Sequence, residues 1–269
     1  MAGKIATRTA YGETLVELGA QYPELVVLDA DLSGSTMSKF FAEAYPDRFF
    51  DCGIAEADMT GIAAGMAAEG LKPFTNSFAM FAAGRAYEQI RNSIAYPQLN
   101  VKVVGSHGGV SVGEDGATHQ CIEDFALMRA IPGMLVCCPC DGNEMRHAVR
   151  ALIDYEGPAY LRLQRLATEV FTDELPDYHF ALGKGCTLRP GSDVTVIATG
   201  LMVSKALQAA ELLAAEGISV RVINIHTIKP LDEELVINAA KETGAIVTAE
   251  NHNVTCGLGS VVANCLAKN

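Results

Sequence analysis

Along the chain, short apolar or β-branched runs alternate with alanine-rich stretches whose apolar positions recur at helical spacing. "LVVLDA", "KPFTNSF", "LNVKVVGS", "MLVCCP" and "AYLRLQR" read as strands. "TGIAAGMAAEGL", "AGRAYEQIRNSI", "CIEDFALMRAI" and "NEMRHAVRALIDYE" read as the helices between them. Near-continuous apolar strands are buried on both faces, and strand–helix alternation lays helices over both sides of parallel strands. The pattern predicts a doubly wound α/β domain over residues 1–168.

The period then breaks in "ATEVFTDELPDYHFALGKG", which carries acids and a proline, so residues 169–185 are expected to link two domains. A second, smaller α/β domain is expected over residues 186–269, with "DVTVIATG", "SVRVINI" and "AIVTAE" as strands and "MVSKALQAAELLAAEG" and "DEELVINAAKETG" as helices. The sequence stops at "LGSVVANCLAKN", part-way along what reads as another helix, and the second domain is expected to be incomplete there.

Composition narrows the class. At 49% hydrophobic and 19% charged, 269 residues suit two globular domains. A net charge of −12 without any Lys/Arg run argues against nucleic-acid and anionic-membrane partners, which would repel it. The N-terminal "MAGKIATRTAYGETL" is polar where a signal peptide needs its apolar core, and no apolar run is long enough to span a bilayer. A cytoplasmic protein is expected, with its eight scattered cysteines reduced. The "CCPC" cluster follows a strand-like run and lacks a second pair at zinc spacing, so it reads as packing.

Candidate chemistry concentrates in "SHGGVSVGEDGATHQCIED", directly after a buried strand, where α/β proteins keep their reactive groups. His107 and His119 lie towards its two ends with Asp115 between, a set suited to acid–base work or to structure, and without a third ligand of zinc spacing. Glu56, in "DCGIAEADMTG", is either an acid favoured at a helix N-terminus or a carboxyl that binds a ligand nitrogen in a dry pocket. Phe74, Phe78 and Phe81 are core residues or a face for a flat ring. No P-loop or dinucleotide fingerprint is present.

Together, "GIAEADMTGIAAG", "GVSVGEDGATHQCIEDFALMRAIP" and "HTIKPLD" resemble the transketolase family of thiamine-diphosphate enzymes. The resemblance covers nearly the whole chain and is to the C-terminal half of a transketolase, the pyrimidine-binding and C-terminal domains. The family binds the diphosphate and its magnesium through a G-D-G…N motif in the other half, and no "GDG" occurs here. The resemblance therefore implies the C-terminal subunit of a split transketolase. Such an enzyme moves a two-carbon ketol unit from a ketose phosphate to an aldose phosphate. A separate N-terminal subunit would hold most of the diphosphate and metal, in a dimer or α2β2 tetramer, with the helix "TGIAAGMAAEG" as a close-packing surface.

Residue by residue, the resemblance implies that Glu56 hydrogen-bonds the aminopyrimidine ring and that Phe78 and Phe81 pack against it, with Asp31 near the cofactor. It gives His119 the reacting hydroxyls, Asp115 the donor's hydroxyl stereochemistry and His107 the acceptor phosphate. Arg8, Ser35 and Arg165 match further phosphate contacts, with Arg162 as the second possible register. The pattern departs at Thr75, where the family often has an aromatic residue, and Phe81 stands where some members have tyrosine. Deoxyxylulose-phosphate synthases share the fold but tend to carry arginine in place of His107, although their "RAYDQ" segment is echoed in "RAYEQ" with Arg85. A synthase of that kind, a 2-oxo acid decarboxylating subunit and a non-catalytic regulatory subunit are the competing functions.

Overall fold

In the computed structural model, which describes residues 3–175 and 178–269, the apolar runs of the first half become strands. These are Lys4–Ala6 (β1), Leu25–Asp29 (β2), Phe49–Asp51 (β3), Lys72–Phe78 (β4), Lys102–Ser106 (β5), Leu135–Cys137 (β6) and Ala159–Arg162 (β7). β2 to β7 form parallel pairs in the order β6-β7-β5-β4-β2-β3. Every residue of β2 is buried, with Leu25 and Val27 facing one core and Val26 and Leu28 the other. That two-sided burial is why its sequence is continuously apolar.

Helices Thr7–Gly19 and Gly142–Asp154 cover one face through Tyr11, Leu15, Met145 and Leu152. Helices Glu56–Ala68 and Asp124–Ala130 and the helical segment 80–95 cover the other through Met59, Ala63, Phe125 and Ile90. The domain is doubly wound, as the sequence predicts. Segment 80–95 differs in detail, since it carries π turns at Met80–Arg85 and Ile90–Ala95. One turn is too short for apolar spacing to separate an i→i+4 from an i→i+5 winding.

The second half adds Ala167–Glu169 (β8), Cys186–Arg189 (β9), Val194–Ala198 (β10), Val220–Asn224 (β11), Thr227–Lys229 (β12) and Ile246–Ala249 (β13). Its sheet runs β13-β10-β11-β9, with β9 antiparallel at the edge, and β8 pairs antiparallel with β1. One strand corrects the expectation of a purely parallel first sheet: β12, from "HTIKPLD", leaves its own domain and pairs antiparallel with β6. The reason is edge protection, because β6 would otherwise expose its unpaired backbone groups. Three residues ahead of a proline gave no strand signal of their own. Residues 1 and 2 of the expected first domain and 176 and 177 of the expected linker lie outside the described residues.

Buried polar groups join the halves. The carboxylate of Glu144 accepts from Cys140 N–H and from Asn224 Nδ2, both at 2.6 Å, and from the Tyr178 hydroxyl. Cys137, Cys138 and Cys140 are buried free thiols, and burial pushes Cys138 up to about 11, so it stays protonated at neutral pH. Among the described residues, no helix is long and apolar enough to cross a membrane.

Candidate active site

The parallel strands deliver the singled-out side chains to one edge. Asp31 and Ser35 follow β2, Glu56 follows β3, Phe78 ends β4, His107 follows β5 and Arg165 follows β7. Arg8 comes from the first turn of Thr7–Gly19. Chain order reverses at β2, whose neighbours are β3 on one side and β4 on the other. A crevice at the carboxyl ends beside such a switch is where this architecture binds ligands.

Glu56 is the first residue of its helix and its side chain is 1% exposed. It is thus a helix N-terminal acid that is also removed from water. Arg85 Nη1 lies 2.8 Å from Oε2, and this ion pair with the helix dipole offsets the desolvation of the carboxylate. Among the described residues Oε1 receives only a 3.4 Å contact from Ser77 Oγ, and it keeps capacity to accept a further hydrogen bond.

Beside it the aromatics divide. Phe74 belongs to the core under Thr7–Gly19, whereas Phe78 and Phe81 stack on each other with centroids 6.1 Å apart. Phe78 also meets the ring of His107 at 4.3 Å and that of His119 at 5.8 Å, and Phe81 meets His119 at 5.1 Å. The Arg85 guanidinium lies 4.7 Å over Phe81. Glu56, Arg85, Phe81, Phe78, His107 and His119 are thus one contiguous set. Its chemistry, an open carboxylate oxygen in a dry site flanked by flat apolar faces, fits a heteroaromatic ring with a hydrogen-bonding nitrogen.

His107 sits in left-handed backbone (φ 60°), and its Nδ1 is 2.8 Å from Ser106 Oγ. Burial first, then the nearby charges of Arg8 and Arg165, lower it to about 4, so the ring is neutral at physiological pH. His119 Nδ1 has the corresponding neighbour, Thr118 Oγ1 at 2.9 Å. Arg165 reaches Glu114 (3.2 Å), Asp115 (3.9 Å) and the carbonyl of Val112. Arg8 donates to the Ser35 carbonyl at 2.7 Å and is lowered by burial and by Arg165, the mark of two cations sharing a site. Arg162 is instead buried on Asp124 (2.9 Å), so of these two arginines Arg165 is the one that reaches the carboxylates of the loop. Asp31 is exposed at φ 60°, its N–H held by Asp51 Oδ1 at 3.2 Å.

Three contributors lie beyond the sequence expectations. Arg85 is the cation that a buried Glu56 requires, and that requirement is the signal that points to it. Asp29, raised to about 6 by burial, accepts from Leu32 N–H (2.6 Å) and from the Thr36 and Ser38 hydroxyls (2.8 Å each), fixing the turn that carries Ser35. Asn251 arrives from the second domain, and no local pattern announces it.

Known proteins match along the whole chain. The family described as "Transketolase, pyrimidine binding domain" matches residues 3–170 and "Transketolase, C-terminal domain" matches residues 183–269. The chain is 50% identical to a putative transketolase C-terminal section from Methanocaldococcus jannaschii, over 97% of this chain and 82% of that protein. It is 47% identical to a 6-deoxy-6-sulfo-D-fructose transketolase subunit from a Clostridium species, over 97% of this chain and 81% of that one. A solved split-gene transketolase, described as an inactive β4 tetramer, superposes with a TM-score of 0.89 at 51% identity, over 99% of this chain and 86% of that one.

Proposed function

The chain belongs to the transketolase family, and from that premise we propose that it is the C-terminal subunit of a two-chain, cytoplasmic transketolase. It transfers a two-carbon ketol unit from a ketose phosphate to an aldose phosphate, with thiamine diphosphate and magnesium held mainly by a separate N-terminal subunit. The observation that carries this reading is the dry carboxylate of Glu56, with one oxygen open, beside the Phe78–Phe81 stack. The C-terminal-section name of one relative and the split-gene origin of another support the missing partner, and the β4 assembly of the latter supports self-association towards an α2β2 tetramer. Residues 1–168 form the pyrimidine-binding domain in this reading, and residues 186–269 the C-terminal one.

When bound, thiamine diphosphate supplies an electron sink for a carbanion. Glu56 Oε1 would accept a hydrogen bond from the cofactor's pyrimidine ring, in surroundings whose low dielectric strengthens the bond. Phe78 and Phe81 orient the ring and exclude water, and Asp31 borders the same pocket. Ser106 at Nδ1 leaves Nε2 of the neutral His107 to hydrogen-bond substrate without adding a charge. His119 faces the sugar hydroxyls and moves protons to and from them, and Asp115 reads hydroxyl stereochemistry. Arg8, with Ser35, and Arg165 take the phosphate, whose charge relieves the repulsion between the two guanidiniums.

The test is donor identity in the assembled enzyme. A ketose phosphate should donate to an aldose phosphate without gas release. Consumption of pyruvate with carbon dioxide release would contradict the reading in favour of a decarboxylating subunit.

A further inference from the structure

The glycine-rich loop of the first domain is held from the second. After β13 the chain reads Glu250-Asn251-His252-Asn253 and reaches both stems of the loop. Asn251 Oδ1 accepts from the N–H of Val110 at 2.9 Å, while Nδ2 donates to Ser111 Oγ at 2.8 Å and, at 3.5 Å, to the carbonyl of Gly108. The Asn253 N–H (3.2 Å) and Nδ2 (2.6 Å) both donate to the carbonyl of Ile122 on the returning stem. Gly109 N–H donates to Cys121 O at 2.7 Å and so ties the two stems together.

The clamp is rigid from behind. Arg162 donates to the carbonyls of Asn251 and Cys121, at 3.0 Å each, so one buried guanidinium seats both the clamping residue and the returning stem. Glu250 accepts from Leu258 and Gly259 N–H at 2.6 and 2.9 Å, and His252 stacks on Phe125 at 4.9 Å and 16°. Gly109 adopts φ +86°, and a Cβ there would overlap the Asn251 carboxamide, so glycine permits the close approach.

Each clamped stem follows one of the two histidines: the first begins directly after His107, and the second begins two residues after His119. We propose that Asn251 is a positioning residue, whose carboxamide fixes the loop so that His107 and His119 keep their places against Phe78. The carboxamide does both jobs at once, accepting from a backbone N–H through Oδ1 and donating to a hydroxyl through Nδ2. The inference rests on reading the loop as part of the active site.

Hydrogen exchange on the full chain tests it, together with kcat and KM in the assembled enzyme. In Asn251→Ala the amides over 108–122 should exchange about tenfold or more faster, while those of β4 and β5 stay as in the wild type. The kcat should fall about tenfold or more, with a smaller change in KM. An unchanged loop in Asn251→Ala overturns the inference. If that variant loosens everywhere, Ser111→Ala decides, since it removes one bond from the loop side. Faster exchange confined to the loop then supports the role, and none refutes it. An assembly inactive even in the wild type would sink the functional reading, whereas exchange would still decide whether Asn251 holds the loop.

Discussion

Arg85 Nη1 stands 2.8 Å from Oε2 of Glu56, a carboxylate with 1% of its side chain exposed, and the same guanidinium caps the ring of Phe81. Removing the arginine leaves a charge in a dry site with only the long Ser77 contact. Arg85→Ala should therefore lower kcat by about 10- to 100-fold, the loss of a charged hydrogen bond. Arg85→Lys should recover part of the loss. An unchanged kcat in Arg85→Ala would show that the ion pair does not support the Glu56 carboxylate. Glu56→Ala, which deletes the acceptor itself, should cost about 10³-fold or more in kcat.

Arg8 and Arg165 divide the phosphate between them in this account. Each single change to alanine should raise KM for a phosphorylated acceptor by about tenfold, and the pair by more, with kcat little affected, because ground-state binding is what is lost. Arg162→Ala should not reproduce this KM effect. Steady-state kinetics with a phosphorylated and a non-phosphorylated acceptor separates the cases, since only the former should respond.

Arg162 should matter to stability instead. Its removal leaves Asp124, fully buried and also bonded by the Tyr160 hydroxyl at 2.8 Å, without its cation. Arg162→Ala should destabilise the fold by about 3–5 kcal/mol, read as a lower midpoint in urea. A loss under about 1 kcal/mol would mean that the interdomain cluster carries little of the stability.

His107 gives a pH signature. Its value in the fold, about 4, lies below its usual 6.5, so the folded ring refuses a proton that the unfolded chain takes. Its contribution is therefore level above pH 6.5 and turns against folding as pH falls from 6.5 towards 4. Ring-proton NMR should show His107 titrating near pH 4 with no step near 6.5. A midpoint near 6.5 would mean that the ring is open to water.

What the sequence disclosed follows from which signals are local. Buried parallel strands announce themselves as apolar runs, so the first domain and the placement of Glu56 and His107 after strands could be read directly. The division of Phe74 from Phe78 and Phe81 could not, because the spacing is the same whether a ring faces the core or the crevice. Arg85, 29 residues beyond Glu56, and Asn251, 141 beyond Val110, meet their partners only through the fold. β12 escaped for the same reason: a three-residue strand is defined by the edge it covers.

On the proposed function, this chain holds one half of an active site. That division is tested by ketol transfer from a pentulose phosphate to a pentose phosphate, with thiamine diphosphate and magnesium. The chain would be assayed alone and then mixed with a candidate N-terminal subunit carrying G-D-G…N. The account predicts turnover in the mixture and none from either chain by itself. Turnover by this chain alone would contradict it, as would an inactive mixture that nevertheless assembles and binds the cofactor.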